Sequence, residues 1–284
     1  MLTKTFFTIV LINTYIILSD SIQISELNET KAFLSISSQL TELREELERQ
    51  GKLLEDSIKD TNLHHLKSYG RNCAEATANS KSNGIYDILI PSYSKHHFKV
   101  SCDSTTQGGG WTVILSRMDG SVDFYRNWNT NKKGFGDLDG EFFLGLDKIH
   151  ALTSEYSQEL LVVLEDFEGT EKFENYEKFA IGDEDEQYEL HTLGKASGTA
   201  GDCLRYHHTM KFTTFDRDND LDSVNDAVKY SGAWWYKTGH HSNLAGKYNV
   251  NTGFKGVYWG LFHNREYSLK KAVMMIRPRT RIYS

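Results

Sequence analysis

Basic charge, cysteine, proline and long apolar runs are all scarce in this chain, and each shortage narrows what it can be. Lysine and arginine total 32 against 39 aspartates and glutamates, a formal net charge of −7. Without a basic face there is little to neutralise a phosphate backbone, so nucleic acid is excluded as a partner. Cysteine occurs three times, too few for a disulfide-dense scaffold. Proline occurs twice in 284 residues, and the stretch 22–67 has none, so nothing there breaks a helix. Past the N-terminal segment, no run approaches the ~20 apolar residues that a bilayer-crossing helix needs.

Catalytic signatures are also missing. There is no HExxH and no nucleophile elbow with a plausible partner. Gly108-Gly109-Gly110 leads into a strand pattern and lacks the Lys-Ser/Thr of a phosphate cradle, so it reads as a structural turn. Four adjacent histidine pairs (His64-His65, His96-His97, His207-His208 and His240-His241) would point to opposite faces of a strand and make poor joint ligands. Glu165-Asp166 and Glu168 follow a strand pattern and read as solvated acids. The chain is not expected to be an enzyme.

What is present is an ordinary apolar content of 39% and many aromatics, fifteen Tyr, fifteen Phe and five Trp, enough for a substantial core. Lys4 precedes a mostly apolar run from Phe6 to Leu18, followed by Ser19-Asp20-Ser21. Residues 1–21 therefore read as a cleavable signal peptide, with an uncleaved signal anchor as the alternative; cleavage predicts a secreted, extracellular protein with no membrane span. In an oxidising compartment Cys73, Cys102 and Cys203 give one disulfide and one thiol left over. Residues 22–68 read as a stalk. Phe33, Ile36, Leu40, Leu43, Leu47 and Leu54 fall on a coiled-coil seam that fades at Gln50, Ser57, Thr61 and His64. Such a seam predicts a homo-oligomer. Asn28-Glu29-Thr30 is a glycosylation sequon, with Asn28 as the acceptor.

Past Tyr69-Gly70 the pattern changes to short strands separated by Gly, Asn and Asp. Ile85–Ile90, Phe98–Cys102, Trp111–Arg117, Leu160–Leu164 and Ala272–Arg277 are candidate strands; Leu144–Leu152 and Asn225–Tyr230 are candidate short helices. With neither repeats nor βαβ alternation, the prediction is α+β: antiparallel sheet, short helices and long loops. Asp216, Asp218, Asp220 and Asp222 alternate along one loop, as a calcium site built from irregular backbone would require. An EF-hand fails here, because its sixth and twelfth positions are Leu221 and Ala227.

Ten segments together resemble the fibrinogen C-terminal domain family. Among them are Asn83-Gly84-Ile85-Tyr86, Val100-Ser101-Cys102-Asp103, Gly108 to Ile114, Gly134-Phe135-Gly136, Phe215 to Asp220, Ala233-Trp234-Trp235-Tyr236 and Ser268-Leu269-Lys270. Their order and spacing place a domain of this kind at 71–282. The resemblance implies a Cys73–Cys102 disulfide. The family's second disulfide is missing, its two positions being Asp226 and Gly239. Cys203 matches neither, and is either a buried inert thiol or an interchain link. The resemblance also implies calcium, held by the carboxylates of Asp218 and Asp220 and the carbonyls of Asp222 and Val224.

Lectin-like members place an acetyl pocket beside this loop. The positions that match are Tyr230 as an aromatic wall and His240 beside the amide donors at Gly239; Phe254 is the nearest aromatic for a second wall, and Trp259 is another candidate for the rim. A cis peptide precedes the second-disulfide cysteine in the family; here the bond is Thr238–Gly239. Fibrinogen's own pocket takes positively charged peptide ends, and Lys229 and Tyr230 at those positions do not suit them. The leading expectation is a calcium-dependent lectin-like recognition protein of innate immunity, binding acetylated carbohydrates on microbial or cell surfaces. The alternative is an angiopoietin-like or adhesion-type ligand for a surface receptor or matrix partner, without sugar recognition.

Overall fold

A computed structural model describes residues 2–263 and 266–279, with side chains placed for 13–56, 69–263 and 266–279. The chain divides into two units, Met1–Leu66 and Lys67–Ser284.

The first unit is carried by one helix, α1 (Leu2–Ser68). Its seam residues Phe33, Ile36, Leu40, Leu43, Leu47 and Leu54 are all exposed, from 56% to 74%. A partner helix would bury that stripe. Opposite charges along the helix pair at one-turn spacing, Arg44 with Glu48 and Arg49 with Glu46. Asn28 is exposed. The fading seam positions Ser57, Thr61 and His64 lie outside the residues whose side chains are described. No helix among the described residues is long and apolar enough to cross a membrane.

The second unit is α+β, as the pattern predicts. It opens with α2 (Cys73–Ala76), whose first turn is capped by the Asn72 side chain accepting from the Glu75 amide. Cys73 is bonded to Cys102, with a Cα–Cα distance of 5.4 Å. The strands are β1 (Gly84–Ile88), β2 (Phe98–Asp103), β3 (Trp111–Arg117), β4 (Phe135–Gly136), β5 (Phe142–Phe143), β6 (Gln158–Glu165), β7 (Glu171–Ala180), β8 (Thr192–Leu193), β9 (Ala196–Gly198), β10 (Ser242–Asn243), β11 (Tyr258–Trp259) and β12 (Lys271–Pro278). Short helices α3 (Trp128–Lys133), α4 (Leu146–Glu155) and α5 (Asp226–Tyr230) lie between them. Residues 280–282 of the expected domain lie outside the described residues.

The main sheet runs β1-β2-β3-β12-β6-β7-β8, antiparallel throughout. The last strand, β12, lies at its centre between β3 and β6. All seven residues of β3 are buried, which is why its apolar run Val113-Ile114-Leu115 does not alternate and why the polar Thr112, Ser116 and Arg117 beside it are buried too. Strand β7, with its run Glu-Lys-Phe-Glu-Asn-Tyr-Glu-Lys-Phe-Ala, is missing from the sequence-based expectation. Its buried residues Glu174, Tyr176 and Phe179 are too few among charges to stand out, and pairing with β6 makes it a strand.

From 199 to 270 the chain takes a different course. The only named strand pair among these described residues is β10 with β11, two residues each. Scattered backbone bonds and buried aromatic side chains together hold the segment. Trp234, Trp235, Tyr236 and Trp259 are almost fully buried, and each donates its polar hydrogen: to Ser242 Oγ, Tyr188 O, Asn243 Oδ1 and Gly201 O. Arg117, buried on β3, anchors the segment to the sheet by donating to the carbonyls of Leu244 at 2.8 Å and Gly246 at 2.7 Å. Glu141 stands 3.5 Å from its Nε and balances the charge. Burial nonetheless pulls the guanidinium down to about 10.

Candidate functional site

The acidic loop is sewn to the body by side-chain amides. Asn219 Nδ2 donates to Phe212 O at 2.7 Å, and Asn225 Nδ2 to Thr214 O at 3.0 Å. Asn225 Oδ1 also caps α5 by accepting from the Val228 amide. Asp216 has a structural role, its Oδ1 accepting from the Trp128 amide at 2.9 Å and the Thr214 hydroxyl at 2.7 Å. Two carboxylates remain side by side in the loop. Asp218 Oδ1 lies 3.4 Å from the Asp220 amide. Asp220 accepts from the amides of Asp222 and Asp226, both at 2.9 Å. Asp222 pairs with Lys229 Nζ at 3.1 Å.

Burial pushes the Asp220 carboxyl up to about 6, with the neighbouring carboxylates of Asp218 and Asp226 adding to it. A raised carboxyl beside a second carboxylate marks a place short of positive charge. The donor set is hard oxygen, with no soft ligand. Both features fit calcium.

The two positions of the missing disulfide are still joined. Gly239 N donates to Asp226 Oδ2 at 2.6 Å. Asp226 is fully buried; its other oxygen has no hydrogen-bond donor and lies 3.6 Å from Lys229 Nζ. A hydrogen bond to a charged group is worth roughly 1.5–3 kcal/mol, against about 2–4 for a disulfide. Asp226 therefore recovers part of the lost clamp. Among the described residues no peptide bond is cis, Thr238–Gly239 included.

Tyr230, Gly239, His240 and Phe254 meet around a cavity of ≈ 160 Å³. The His240 ring stands edge-on to Tyr230 at 4.4 Å and lies 5.1 Å from Tyr258. Its Nε2 bonds the Phe254 carbonyl at 3.1 Å. Trp259, the other rim candidate, is turned inward and fully buried, so Tyr258 lines the cavity in its place. Tyr206 and His241 complete the wall as a stacked pair 4.0 Å apart. No motif marks Tyr206; only the tertiary fold brings it here. Beneath the wall, His207 Nε2 accepts from the amides of His241 and Ser242, both at 3.1 Å, while Nδ1 donates to Trp235 O at 2.7 Å. Burial depresses this imidazole to about 3, so it stays neutral and works as a pin.

The expected amide donor at Gly239 faces Asp226, not the cavity. Cys203 is fully buried and accepts from the Leu261 amide, and burial raises its thiol to about 12. That settles the choice left open by the sequence: it is an interior thiol, out of reach of an interchain bond.

Residues 69–279 match the family model for the C-terminal globular domain of fibrinogen beta and gamma chains. The chain is 40% identical over 248 residues to tenascin of Gallus gallus, covering 86% of this chain and 14% of the relative. It is 42% identical over 214 residues to angiopoietin-related protein 6 of Homo sapiens, covering 73% and 45%. The chain thus spans less than half the length of either relative. The solved fibrinogen-like globe domain of human ANGPTL2 superposes with a TM-score of 0.71 at 42% identity, covering 74% of this chain and all of that one.

Proposed function

The chain belongs to the fibrinogen C-terminal globular domain family, and from that premise we propose that it is an extracellular ligand for a protein partner, a cell-surface receptor or a matrix component. The observation that carries this reading is the apolar surface of the acidic loop. Leu221 is 62% exposed, Val224 57% and Val228 49%, with Phe215 beside them in sequence at 38%. The core of a protein interface is built from such groups, with charge at the rim. Asp222 and Lys229 supply rim charge on the same stretch. Tenascin and an angiopoietin-related protein among the relatives are consistent with a receptor or matrix partner. The Cys73–Cys102 disulfide supports an oxidising, extracellular setting.

Calcium would be held by the carboxylates of Asp218 and Asp220 with the carbonyls of Asp222 and Val224. The ion supplies the positive charge that these carboxylates lack. Protons compete for Asp220, so calcium affinity should fall as pH drops through about 6. The exposed seam of α1 would join chains into a homo-oligomer, and clustering of weak sites raises avidity by roughly 10²–10⁴.

A second reading keeps the cavity for an acetylated sugar. Its support is that Tyr230, Gly239, His240 and Phe254 do line one small aromatic hollow. Against it stands the Gly239 amide, already given to Asp226. Binding of the labelled full-length chain to a panel of cultured cells separates the two. The protein-partner reading expects binding that is lost when the cells are shaved with protease and cut at least tenfold by L221D/V224D. Free N-acetylglucosamine should leave it unchanged. Release by that sugar, with the double variant binding normally, would transfer the function to the cavity.

A further inference from the structure

The acids at the end of β6 are not the solvated pair that their sequence suggests. Asp166 is buried, and it closes the β6–β7 turn. Its Oδ1 accepts from the amides of Glu168 at 3.1 Å and Thr170 at 2.7 Å, fixing the carboxylate in one orientation. The free edge, Oδ2, faces His263 Nε2 at 3.0 Å. Burial opposes ionisation of Asp166, but the Thr170 amide and His263 outweigh it and hold the carboxyl below its usual range. Glu168, two residues on, accepts from the Tyr267 hydroxyl at 2.5 Å, and that same hydroxyl accepts from the Phe167 amide. The Tyr267 ring lies flat on His263, centroids 4.0 Å apart at 18°, and orients the imidazole. None of these residues belongs to the acidic loop or the cavity.

We propose that Asp166, Glu168 and His263 form a binding site for a divalent transition-metal ion of the zinc class. One ligand atom from each lies within 4.8 Å of the other two. Tetrahedral bonds of about 2.1 Å put ligand atoms about 3.4 Å apart, so a small side-chain adjustment closes the site. One imidazole nitrogen and two carboxylate oxygens, with a fourth position open to water because Glu168 is exposed, suit zinc. Calcium and magnesium prefer oxygen alone. On binding, the ion takes the place of the hydrogen in the His263–Asp166 contact: a neutral ring carries its single hydrogen on Nδ1, a protonated ring releases the Nε2 proton to solvent, and in both cases Nε2 ligates through its lone pair. The supporting contacts are in place, since Asp166 is held by two amides and His263 by a stacked ring. A bound ion would tie the β6–β7 turn to the segment entering β12.

The test is titration of the metal-free full-length chain with zinc by calorimetry and with cobalt(II) by visible absorption. The site predicts one zinc per chain, and cobalt d–d bands typical of low coordination number. His263→Ala and Glu168→Gln should each weaken binding by about 10-fold or more, the scale at which even supporting contacts matter. Glu168→Gln leaves the Asp166 turn intact, so its loss of zinc is not a loss of fold; unchanged thermal unfolding of the metal-free variant confirms this. A D218N/D220N variant should bind zinc as well as the parent. Equal binding in both substituted chains would overturn the proposal, because the metal would then sit on surface histidine pairs. Loss of zinc in D218N/D220N would overturn it too.

Discussion

The sheet and the segment from 199 to 270 hold together by different means. In the sheet, backbone pairs with backbone: β12 and β6 match over eight consecutive residues, Lys271 to Pro278 against Glu165 to Gln158. Side chains add packing but do not set the register. In the 199–270 segment backbone bonds are scattered contacts rather than a ladder, such as Lys247 N with Lys255 O and Leu269 N with Val257 O, and a handful of side chains set the path between them: Arg117, His207, Asn219, Asn225, Asp226 and the buried tryptophans. A ladder resists single changes because each rung is repeated. A set of individual pins does not. The candidate site lies wholly in the pinned segment, where sequence change can re-aim a loop without disturbing the sheet.

Breaking the link between the two regions should have the largest effect. Arg117→Met leaves Glu141 buried without its cation and the Leu244 and Gly246 carbonyls without their donor. A loss of about 3–5 kcal/mol is expected in urea unfolding, the usual result of removing one partner of a buried pair. Arg117→Lys should recover only part of it: both carbonyl bonds come from the single nitrogen Nη1, which an ammonium can imitate, but the planar guanidinium that lies over Phe124 at 3.9 Å is lost.

His207 gives the next effect, and it depends on pH. The folded imidazole takes a proton only near 3, whereas the unfolded one does so near 6.5. Its contribution is therefore intact above pH 6.5 and lost as pH falls toward 3. Between pH 6.5 and 4.5 the loss is roughly 2–3 kcal/mol at about 1.4 kcal/mol per unit. Carboxylates add their own slope, so the measurement is a difference: denaturant unfolding of His207→Asn should lose less stability than the parent over that interval.

Asp226→Ala removes the acceptor for the Gly239 amide and should cost about 1–3 kcal/mol. It should also speed hydrogen exchange at Gly239 while leaving β3 and β12 unaffected. Leu221→Asp should be the mildest for the fold, within about 0.5 kcal/mol as for most surface changes. The same substitution should be among the most damaging to partner binding. That separation, if found, distinguishes the recognition surface from the pins beneath it.

The same contrast explains what the sequence discloses. The α+β class is legible because strand patterns are local, whereas the Cys73–Cys102 pairing is legible only through the family resemblance, since three cysteines alone leave the pairing open. The grouping of Tyr230, Gly239, His240 and Phe254 could be expected by resemblance. Tyr206, Tyr258 and His241 could not, since they meet the cavity through contacts across up to about fifty residues of irregular chain. Asp166 looked solvated because its neighbours are acidic, yet the turn it closes buries it. Trp259 was a rim candidate by position, but its indole N–H bonds the Gly201 carbonyl, and that turns the ring inward. Strand β7 stayed hidden because its partner, not its own composition, makes it a strand.

The proposal at stake is a calcium-organised, side-chain-pinned loop that would carry the recognition face beside an indifferent sheet. Hydrogen exchange of the full-length chain, with calcium and with chelator, tests it most directly. Calcium should slow exchange at least tenfold across 212–241 and leave β3, β6 and β12 unchanged, with D218N/D220N removing the difference. Identical exchange with and without calcium, or protection that survives the double substitution, would contradict the account.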